Sequence, residues 1–125
     1  MTEGYGFPEP ALVLGSPLLE GKVASTAHVR VPLAMLNRHG LVAGATGTGK
    51  TKTLQLLTEQ LSRAGVPVFC ADMKGDLTGL CVAGQTNTKI EARSEATGIP
   101  WQPAACPVEF LSLTGVNGQQ LRATV

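Results

Sequence analysis

The residues with the clearest chemical potential lie at positions 44–51 and read Gly-Ala-Thr-Gly-Thr-Gly-Lys-Thr. This string matches the pattern G-x-x-x-x-G-K-[ST] at every defined position. Glycines let successive backbone N–H groups turn inward around an anion, and a helix that begins behind them adds its unpaired amides and its dipole. The Lys50 ammonium can reach the β- and γ-phosphates of a nucleotide, and the Thr51 hydroxyl can bind Mg²⁺ between them. Lys50 is therefore the candidate catalytic residue, and the predicted nucleotide-binding residues are Gly44, Ala45, Thr46, Gly47, Thr48, Gly49, Lys50 and Thr51.

Asp72 is the second candidate, because it directly follows the apolar run at residues 66–71. In a parallel sheet the carboxyl ends of the strands share the edge at which ligands bind, so Asp72 and Lys74 are expected near the phosphates. There Asp72 would hold Mg²⁺ through a water or position a reacting group. In the alternative interpretation, Asp72 and Asp76 are turn residues whose side chains bond their own backbone.

The elements that must position these residues follow from the apolar pattern. Residues 41–43 are predicted to form a short strand that stops at the glycine loop. A helix is predicted from about Thr51, because three leucines fall at i, i+3 and i+7 and a glycine at position 65 can end it: Leu54, Leu57 and Leu61. Residues 66–71 then form a second strand. Strand, loop, helix and strand make one βαβ unit, which implies a parallel sheet.

The flanking segments read differently. Short β structure is predicted before residue 37, and a short helix over 77–83. A further helix is predicted over 88–97, capped by Asn87 and stopped by Gly98. Residues 108–113 and 120–125 are expected to form a β-hairpin, which ends with the chain itself and predicts truncation at the carboxyl end. The predicted units are therefore 1–36, a β segment; 37–84, the start of a P-loop core; and 85–125, an extension of that core.

Composition excludes several classes of protein. The chain has 125 residues, of which 43% are hydrophobic and 15% charged, too apolar a mixture for intrinsic disorder. A net charge of +1 lacks the basic excess of a stand-alone nucleic-acid binder. No apolar run approaches the roughly 20 residues that span a bilayer, and the first twenty residues do not resemble a secretory signal. Three cysteines without metal-ligand spacing are typical of reduced thiols in a cytoplasmic protein.

A complete ATPase site needs one more group, for which the chain offers no candidate. P-loop ATPases use an acidic residue at the end of an apolar strand to hold Mg²⁺ and orient the attacking water. No aspartate follows Asp76, and none of the three later acids ends an apolar run: Glu91, Glu95 and Glu109. A GTPase is disfavoured as well, because no N-K-x-D string follows the loop.

Residues 37–51, together with 66–79, resemble the amino-terminal part of the bacterial HerA-like (YjgR-type) ATPases, within the HerA/FtsK superfamily of hexameric DNA motors. The string Asp72-Met73-Lys74-Gly75-Asp76-Leu77 makes the resemblance more specific than the glycine loop does. The resemblance implies ATP and Mg²⁺ as cofactors, a RecA-like core, DNA as partner and a homo-hexamer. It also implies hydrolysis completed by an acidic strand end and a neighbouring subunit's arginine, which have no matching position here.

The predicted fold class is thus α/β, an incomplete P-loop NTPase (RecA-like) parallel sheet preceded by short β structure and followed by a β-hairpin. The predicted function is the ATP-binding portion of a HerA-like motor ATPase, inactive by itself. Two alternatives stay open. A small-molecule kinase would use Asp72 to bind its acceptor, but it needs a basic lid, and only Lys89, Arg93 and Arg122 follow Lys74. A non-catalytic nucleotide-binding module would couple ATP binding to a partner.

Overall fold

The computed structural model of the chain describes residues 9–122. Its helices and strands, in chain order, are β1 Ala11–Gly15, β2 Leu18–Leu19, β3 Lys22–Val23, β4 Val29–Pro32, α1 Lys50–Arg63, α2 Thr88–Thr97, β5 Leu111–Ser112 and β6 Gln119–Gln120. Short 3-10 helices follow β4 at Leu33–Met35 and precede α2 at Thr78–Cys81, the latter within the predicted helix at 77–83. Among these described residues, no helix has the length and apolar character needed to cross a membrane.

The amino-terminal segment is built on an antiparallel pair, β1 with β4, in which Leu12 faces Val31 and Val13 faces Arg30. The register shifts by one residue between Val13 and Gly15, which is a β-bulge. Strand alternation turns Leu12 inward, and its side chain is only 2% exposed. We call β1, β4 and the residues between them the amino-terminal ribbon. Leu12 is the best-buried apolar residue of the described chain, and it lies in this ribbon.

A small hairpin lies between the two long strands of the ribbon, where β2 pairs antiparallel with β3. Its two turn residues, Glu20 and Gly21, both have positive φ, at 48° and 76°. Two consecutive left-handed residues are typical of a type I′ turn, whose twist matches that of the flanking strands. Residues 18–23 therefore form a hairpin with a tight two-residue turn.

Helix α1 confirms the helix predicted between the glycine loop and Gly65. It ends in a Schellman motif, in which Gly65 N–H donates to the Ser62 carbonyl and Val66 N–H donates to the Leu61 carbonyl, each at 3.0 Å. Gly65 supplies the left-handed conformation that this motif requires, with φ of 78°. The chain therefore reverses directly from the helix into residues 66–71.

The segments predicted as strands on either side of α1 have no regular secondary structure, and neither pairs with another strand within the described part of the chain. Their apolar side chains face solvent, as shown by Leu41 at 90% and Phe69 at 75% exposure. A strand needs a hydrogen-bonded neighbour as well as a suitable sequence, and that neighbour is a non-local requirement. The parallel sheet therefore stays a prediction.

Helix α2 begins and ends where the sequence predicted. The Asn87 side-chain oxygen accepts from the backbone N–H groups of Lys89 and Ile90, both at 3.0 Å, which caps the amino terminus. Gly98 ends the helix in the left-handed conformation with φ of 66°. Both signals are local, so the sequence alone is sufficient to place this helix.

The carboxyl end of α2 is fixed to the amino-terminal ribbon. The Thr97 carbonyl lies 2.7 Å from the Ser16 hydroxyl, which donates to it, and 3.3 Å from His28 Nε2. Gly98 lies so close that an added Cβ would sit 2.5 Å from the Ser25 carbonyl oxygen. A residue other than glycine would clash with this oxygen and would also have an unfavourable φ. Position 98 therefore favours glycine for two separate reasons.

Helix α1 is fixed to the same ribbon by one side chain. The Gln60 amide accepts from Val13 N–H at 2.8 Å and donates to the Val13 carbonyl at 2.9 Å. The amide thereby occupies the place of a strand partner at the edge of β1, where unpaired backbone groups would otherwise remain. Both helices are therefore hydrogen-bonded to the amino-terminal ribbon.

The carboxyl-terminal segment differs from the predicted hairpin. Strands β5 and β6 pair in parallel, with Gln119 N–H donating to the Phe110 carbonyl and Leu121 N–H to the Ser112 carbonyl, each at 2.9 Å. Positive φ at Gly115 and Gly118 lets the chain loop round and return in the same direction instead of reversing. Antiparallel pairing over these residues was therefore wrong, and residues 123–125 of the predicted strand lie outside the described range.

Replacing Gln60 by alanine should lower the free energy of unfolding by about 1–3 kcal/mol, because it removes two partly buried hydrogen bonds and leaves the polar groups of Val13 unpaired. Urea denaturation followed by circular dichroism measures the change. Gln85→Ala, at an exposed loop position, is the matched control and should change the midpoint little. Equal losses in the two variants would show that the Gln60 contact does not hold α1.

Candidate functional site

The glycine loop at residues 44–49 runs directly into the first residue of helix α1. Gly47 and Gly49 have φ of 81° and 96°, which is the left-handed region that other residues rarely adopt. Gly49 is the amino-terminal cap, no side chain caps the helix there, and its first turn holds no acidic residue. The unpaired amides and positive dipole end of α1 are therefore left available to an anion.

Inside the loop, the Ala45 carbonyl is the common acceptor. It accepts from the Thr48 hydroxyl at 2.8 Å and from Lys50 Nζ at 2.7 Å, so the lysine side chain folds back across the loop. An added Cβ on Gly44 would lie 2.5 Å from Thr48 Oγ1, so this glycine permits a close approach rather than a special φ. Hydrogen bonds within the loop therefore join Ala45 to Thr48 and to Lys50, and the lysine ammonium lies against the loop backbone.

Thr51 follows Lys50 in the first turn of α1 and is half-buried. Within the described residues its hydroxyl makes no hydrogen bond, whereas the next threonine, Thr53, donates back to the Gly49 carbonyl at 3.2 Å. A threonine hydroxyl that is not bonded to its own helix can act as a ligand to a hard cation. The arrangement is thus compatible with the metal role predicted for Thr51.

Asp72 organises the second candidate loop. Its Oδ1 accepts from the backbone N–H groups of Lys74, Gly75 and Asp76 at 3.1, 2.9 and 3.2 Å, and its Oδ2 accepts from Leu77 N–H at 2.8 Å. This is the turn arrangement that was the alternative interpretation of Asp72. Oδ1 already accepts three hydrogen bonds, whereas Oδ2 accepts one and retains a lone pair. A metal role for Asp72 therefore stays a prediction that would involve Oδ2.

These hydrogen bonds favour the charged form of the Asp72 carboxyl. The Leu77 amide makes the largest contribution in lowering the pKa of the carboxyl below its ordinary value of 3.8, and the Lys74, Gly75 and Asp76 amides lower it further. Partial removal of water acts in the opposite direction and raises the pKa, but it does not prevail. Asp72 is therefore an anion at neutral pH.

Both candidate loops are attached to helix α1. The glycine loop leads into its first turn, and the Gln55 side-chain amide donates to the Asp76 carbonyl at 2.7 Å. Lys52 in turn donates to Gln55 Oε1 at 2.9 Å and orients that amide. No hydrogen bond joins Asp72 itself to the glycine loop in the part of the chain described, so α1 is the link between them.

The sequence did not identify Gln55 or Gln60 as functionally placed. Both lie on α1 among the leucine positions 54, 57 and 61 that predicted the helix, and each bonds the backbone of another segment. A long amide side chain beside an apolar stripe indicates a position near the packed face of the helix, but it does not indicate which segment the amide bonds. Across residues 9–122, no three His, Cys, Asp or Glu side chains gather in a way that could hold a metal ion.

Because the Asp72 carboxyl has a lowered pKa, the loop that it holds should keep this support above pH 3.8 and lose it as the pH falls through the lower value of the folded protein. The amide proton resonances of Gly75 and Leu77 should therefore shift with a midpoint below 3.8 in an NMR titration. Asp72→Asn should abolish that shift and increase exchange of these amides at neutral pH. A midpoint at or above 3.8 would show that the amides do not hold the carboxylate.

The family of helicase HerA-like C-terminal domains matches residues 18–125, a range that contains both candidate loops and both helices. No curated protein and no solved structure gives a significant match to the chain. HerA-like proteins are ATPases of the HerA/FtsK type that generally use ATP and Mg²⁺, form oligomers and associate with DNA. The family resemblance seen in the sequence is confirmed at this level, and the chain belongs to the helicase HerA-like C-terminal family.

Proposed function

We propose that this chain is the ATP-binding portion of a HerA-like motor ATPase and that residues 44–51 hold Mg²⁺-ATP. The observation that carries the proposal is the glycine loop itself, which has left-handed glycines at 47 and 49 and leads into an uncapped helix terminus. Such a terminus presents several N–H donors and a positive dipole to the same point. A phosphate chain is the ligand whose charge and shape match that array.

The residues of the loop have separate tasks in this proposal. Lys50 exchanges its bond to the Ala45 carbonyl, at 2.7 Å, for a phosphate oxygen, which costs it one hydrogen bond and gains a charge-assisted one. The Thr48 hydroxyl keeps its own bond to Ala45 and so preserves the shape of the loop. Thr51 offers its hydroxyl to Mg²⁺. The bound Mg²⁺-ATP supplies the phosphoanhydride bond and its activated leaving group.

We propose that Asp72 holds the loop at residues 72–77 in position. We propose in addition that its carboxylate coordinates Mg²⁺ through a water molecule. Its four backbone bonds fix the direction of the loop, and the Gln55 bond to the Asp76 carbonyl ties that loop to α1. Movement of α1 on nucleotide binding would therefore be transmitted to residues 72–77. Lys74 is the cation that this loop would bring toward the phosphates.

The remaining parts of the proposal rest on the family. We propose a RecA-like parallel sheet in which residues 41–43 and 66–71 become paired strands, and the apolar, solvent-exposed side chains of both segments support this proposal. The proposal also includes a YjgR-type parent that is cytoplasmic, acts on DNA and assembles as a hexamer. Hydrolysis then requires an acidic strand end and a subunit-bridging arginine from outside these 125 residues.

Lys50→Ala should weaken binding of Mg²⁺-ATP by about 1.5–3 kcal/mol, or roughly 10- to 100-fold, because a charge-assisted hydrogen bond to phosphate is lost. Isothermal titration calorimetry measures both proteins. Lys89→Ala is the matched control, since Lys89 lies on α2 and belongs to neither candidate loop. Equal affinities of the Lys50 variant and the parent chain would remove the phosphate site from residues 44–51.

Thr51→Ala should leave nucleotide binding without Mg²⁺ nearly unchanged and should reduce the gain in affinity that Mg²⁺ brings, because the partner proposed for the hydroxyl is the metal. Titrations with ATP in EDTA and in Mg²⁺ separate the two effects. Thr51→Ser retains the hydroxyl and should restore the gain. If the alanine variant loses the same affinity with and without Mg²⁺, the hydroxyl is not a metal ligand.

A further inference from the structure

The loop between β5 and β6 contains the dipeptide Asn117–Gly118, which belongs to neither candidate loop and has no part in the proposed function. Residues 113–118 are all exposed and have no regular secondary structure. Exposed loop tips of small and polar residues are the positions at which a chain is most open to chemical attack. An assignment made at this dipeptide is independent of nucleotide binding.

Neither of the two groups that could react here is held by a hydrogen bond. Among residues 9–122, the Asn117 side-chain amide has no hydrogen-bond partner, and the Gly118 N–H donates to no acceptor. The start of the same loop differs, because Gly115 N–H donates to the Ser112 hydroxyl at 3.2 Å. The Asn117 amide carbon and the adjacent backbone nitrogen are therefore free to approach each other.

Glycine at position 118 leaves this backbone nitrogen accessible. Its φ is 135°, and an added Cβ would meet the Phe110 carbonyl oxygen. Without a Cβ, no side chain on residue 118 stands between its nitrogen and the Asn117 amide carbon. The other two asparagines of the chain are each followed by a residue that carries a side chain, namely Arg38 after Asn37 and Thr88 after Asn87. Asn117 is therefore the asparagine with the least hindered neighbour.

We propose that Asn117 is a site of spontaneous deamidation, at which water converts the side-chain amide into a carboxylate through a cyclic imide. Hydroxide removes the proton of the Gly118 N–H, and the nitrogen attacks Asn117 Cγ. The new N–Cγ bond closes a five-membered ring, the Cγ–Nδ2 bond breaks, and Nδ2 takes up a proton from water and leaves as ammonia. Water then opens the ring at one of its two carbonyl carbons. Opening at Cγ gives aspartate, and opening at the backbone carbonyl carbon gives isoaspartate, whose main chain runs through Cβ and Cγ.

The isoaspartate product changes the pairing of β5 with β6. Directly after Gly118, the Gln119 N–H donates to the Phe110 carbonyl at 2.9 Å, and the Gly118 Cα lies against the same carbonyl oxygen. Isoaspartate places an additional methylene in the main chain just before this contact and so shifts the register on which the pairing depends. It also adds a negative charge, because a carboxyl of this kind is ionised at neutral pH. Release of β6 from β5 is therefore the expected structural result.

Incubation of the chain in warm neutral buffer, followed by peptide mass spectrometry, tests the proposal. The peptide that contains residue 117 should gain about 1 Da, because an NH₂ group is replaced by OH. The gain should be faster in mildly alkaline than in mildly acidic buffer, since the attacking nitrogen must first lose its proton. Asn87 is the internal control and should stay unmodified, because its side-chain oxygen is held by the backbone N–H groups of Lys89 and Ile90. Equal conversion of Asn87 and Asn117 would overturn the proposal.

A synthetic peptide of residues 115–120 shows whether the folded loop allows the reaction. Because loops without protecting hydrogen bonds open at little free-energy cost, the rate in the native chain should lie within about threefold of the rate in the peptide. A native rate more than about tenfold lower would show that the fold protects Asn117, and the proposal would be wrong.

Asn117→Gln is the matched variant, since it keeps a primary amide but must close a larger ring, and it should stay unmodified. Hydrogen exchange then measures the structural result. The Gln119 and Leu121 amides, which donate to β5 and its preceding residue, should exchange faster in the isoaspartate form and remain protected in the incubated variant. Equal protection of these amides in the two proteins would overturn the proposed release of β6.

Discussion

The side-chain amide of Gln60 determines where helix α1 lies, because it pairs with both backbone polar groups of Val13 at the edge of strand β1. An amide side chain that imitates a strand partner gives direction as well as contact, since donor and acceptor must both be aligned. The glycine loop and the Asp72 loop are both attached to α1. This contact therefore helps to place both loops relative to the amino-terminal ribbon.

Polar contacts have this importance because the described chain has little buried apolar surface. Leu12 and Ala27 are its buried apolar residues, whereas large side chains such as Leu41 and Phe69 face solvent. The second helix is likewise held by hydrogen bonds, from Ser16 and His28 to the Thr97 carbonyl. Exposed apolar segments of this extent are typical of surfaces that another segment or chain covers, which is consistent with a family whose members generally form oligomers.

Backbone N–H donors are central to both candidate loops, but the source of the anion differs between the two loops. Residues 44–49 lead into an uncapped helix terminus, for which we propose an external anion as ligand. Residues 74–77 direct their amides at an anion supplied by the chain, Asp72, and these hydrogen bonds give the second loop a defined shape. Gln55 connects the second loop to the helix that begins at the first.

The sequence by itself determined several features that depend on neighbouring residues. The glycine loop, the Schellman end of α1 at Gly65 and the Asn87 and Gly98 limits of α2 are all encoded within a few positions, and so they could be predicted. Only the tertiary structure decided which strands pair and in which direction, as in β5 and β6, because pairing depends on segments distant in sequence. It alone also decided that Gln55 and Gln60 bridge to other segments, since an amide on a helix surface gives no indication of its partner until the chain has folded.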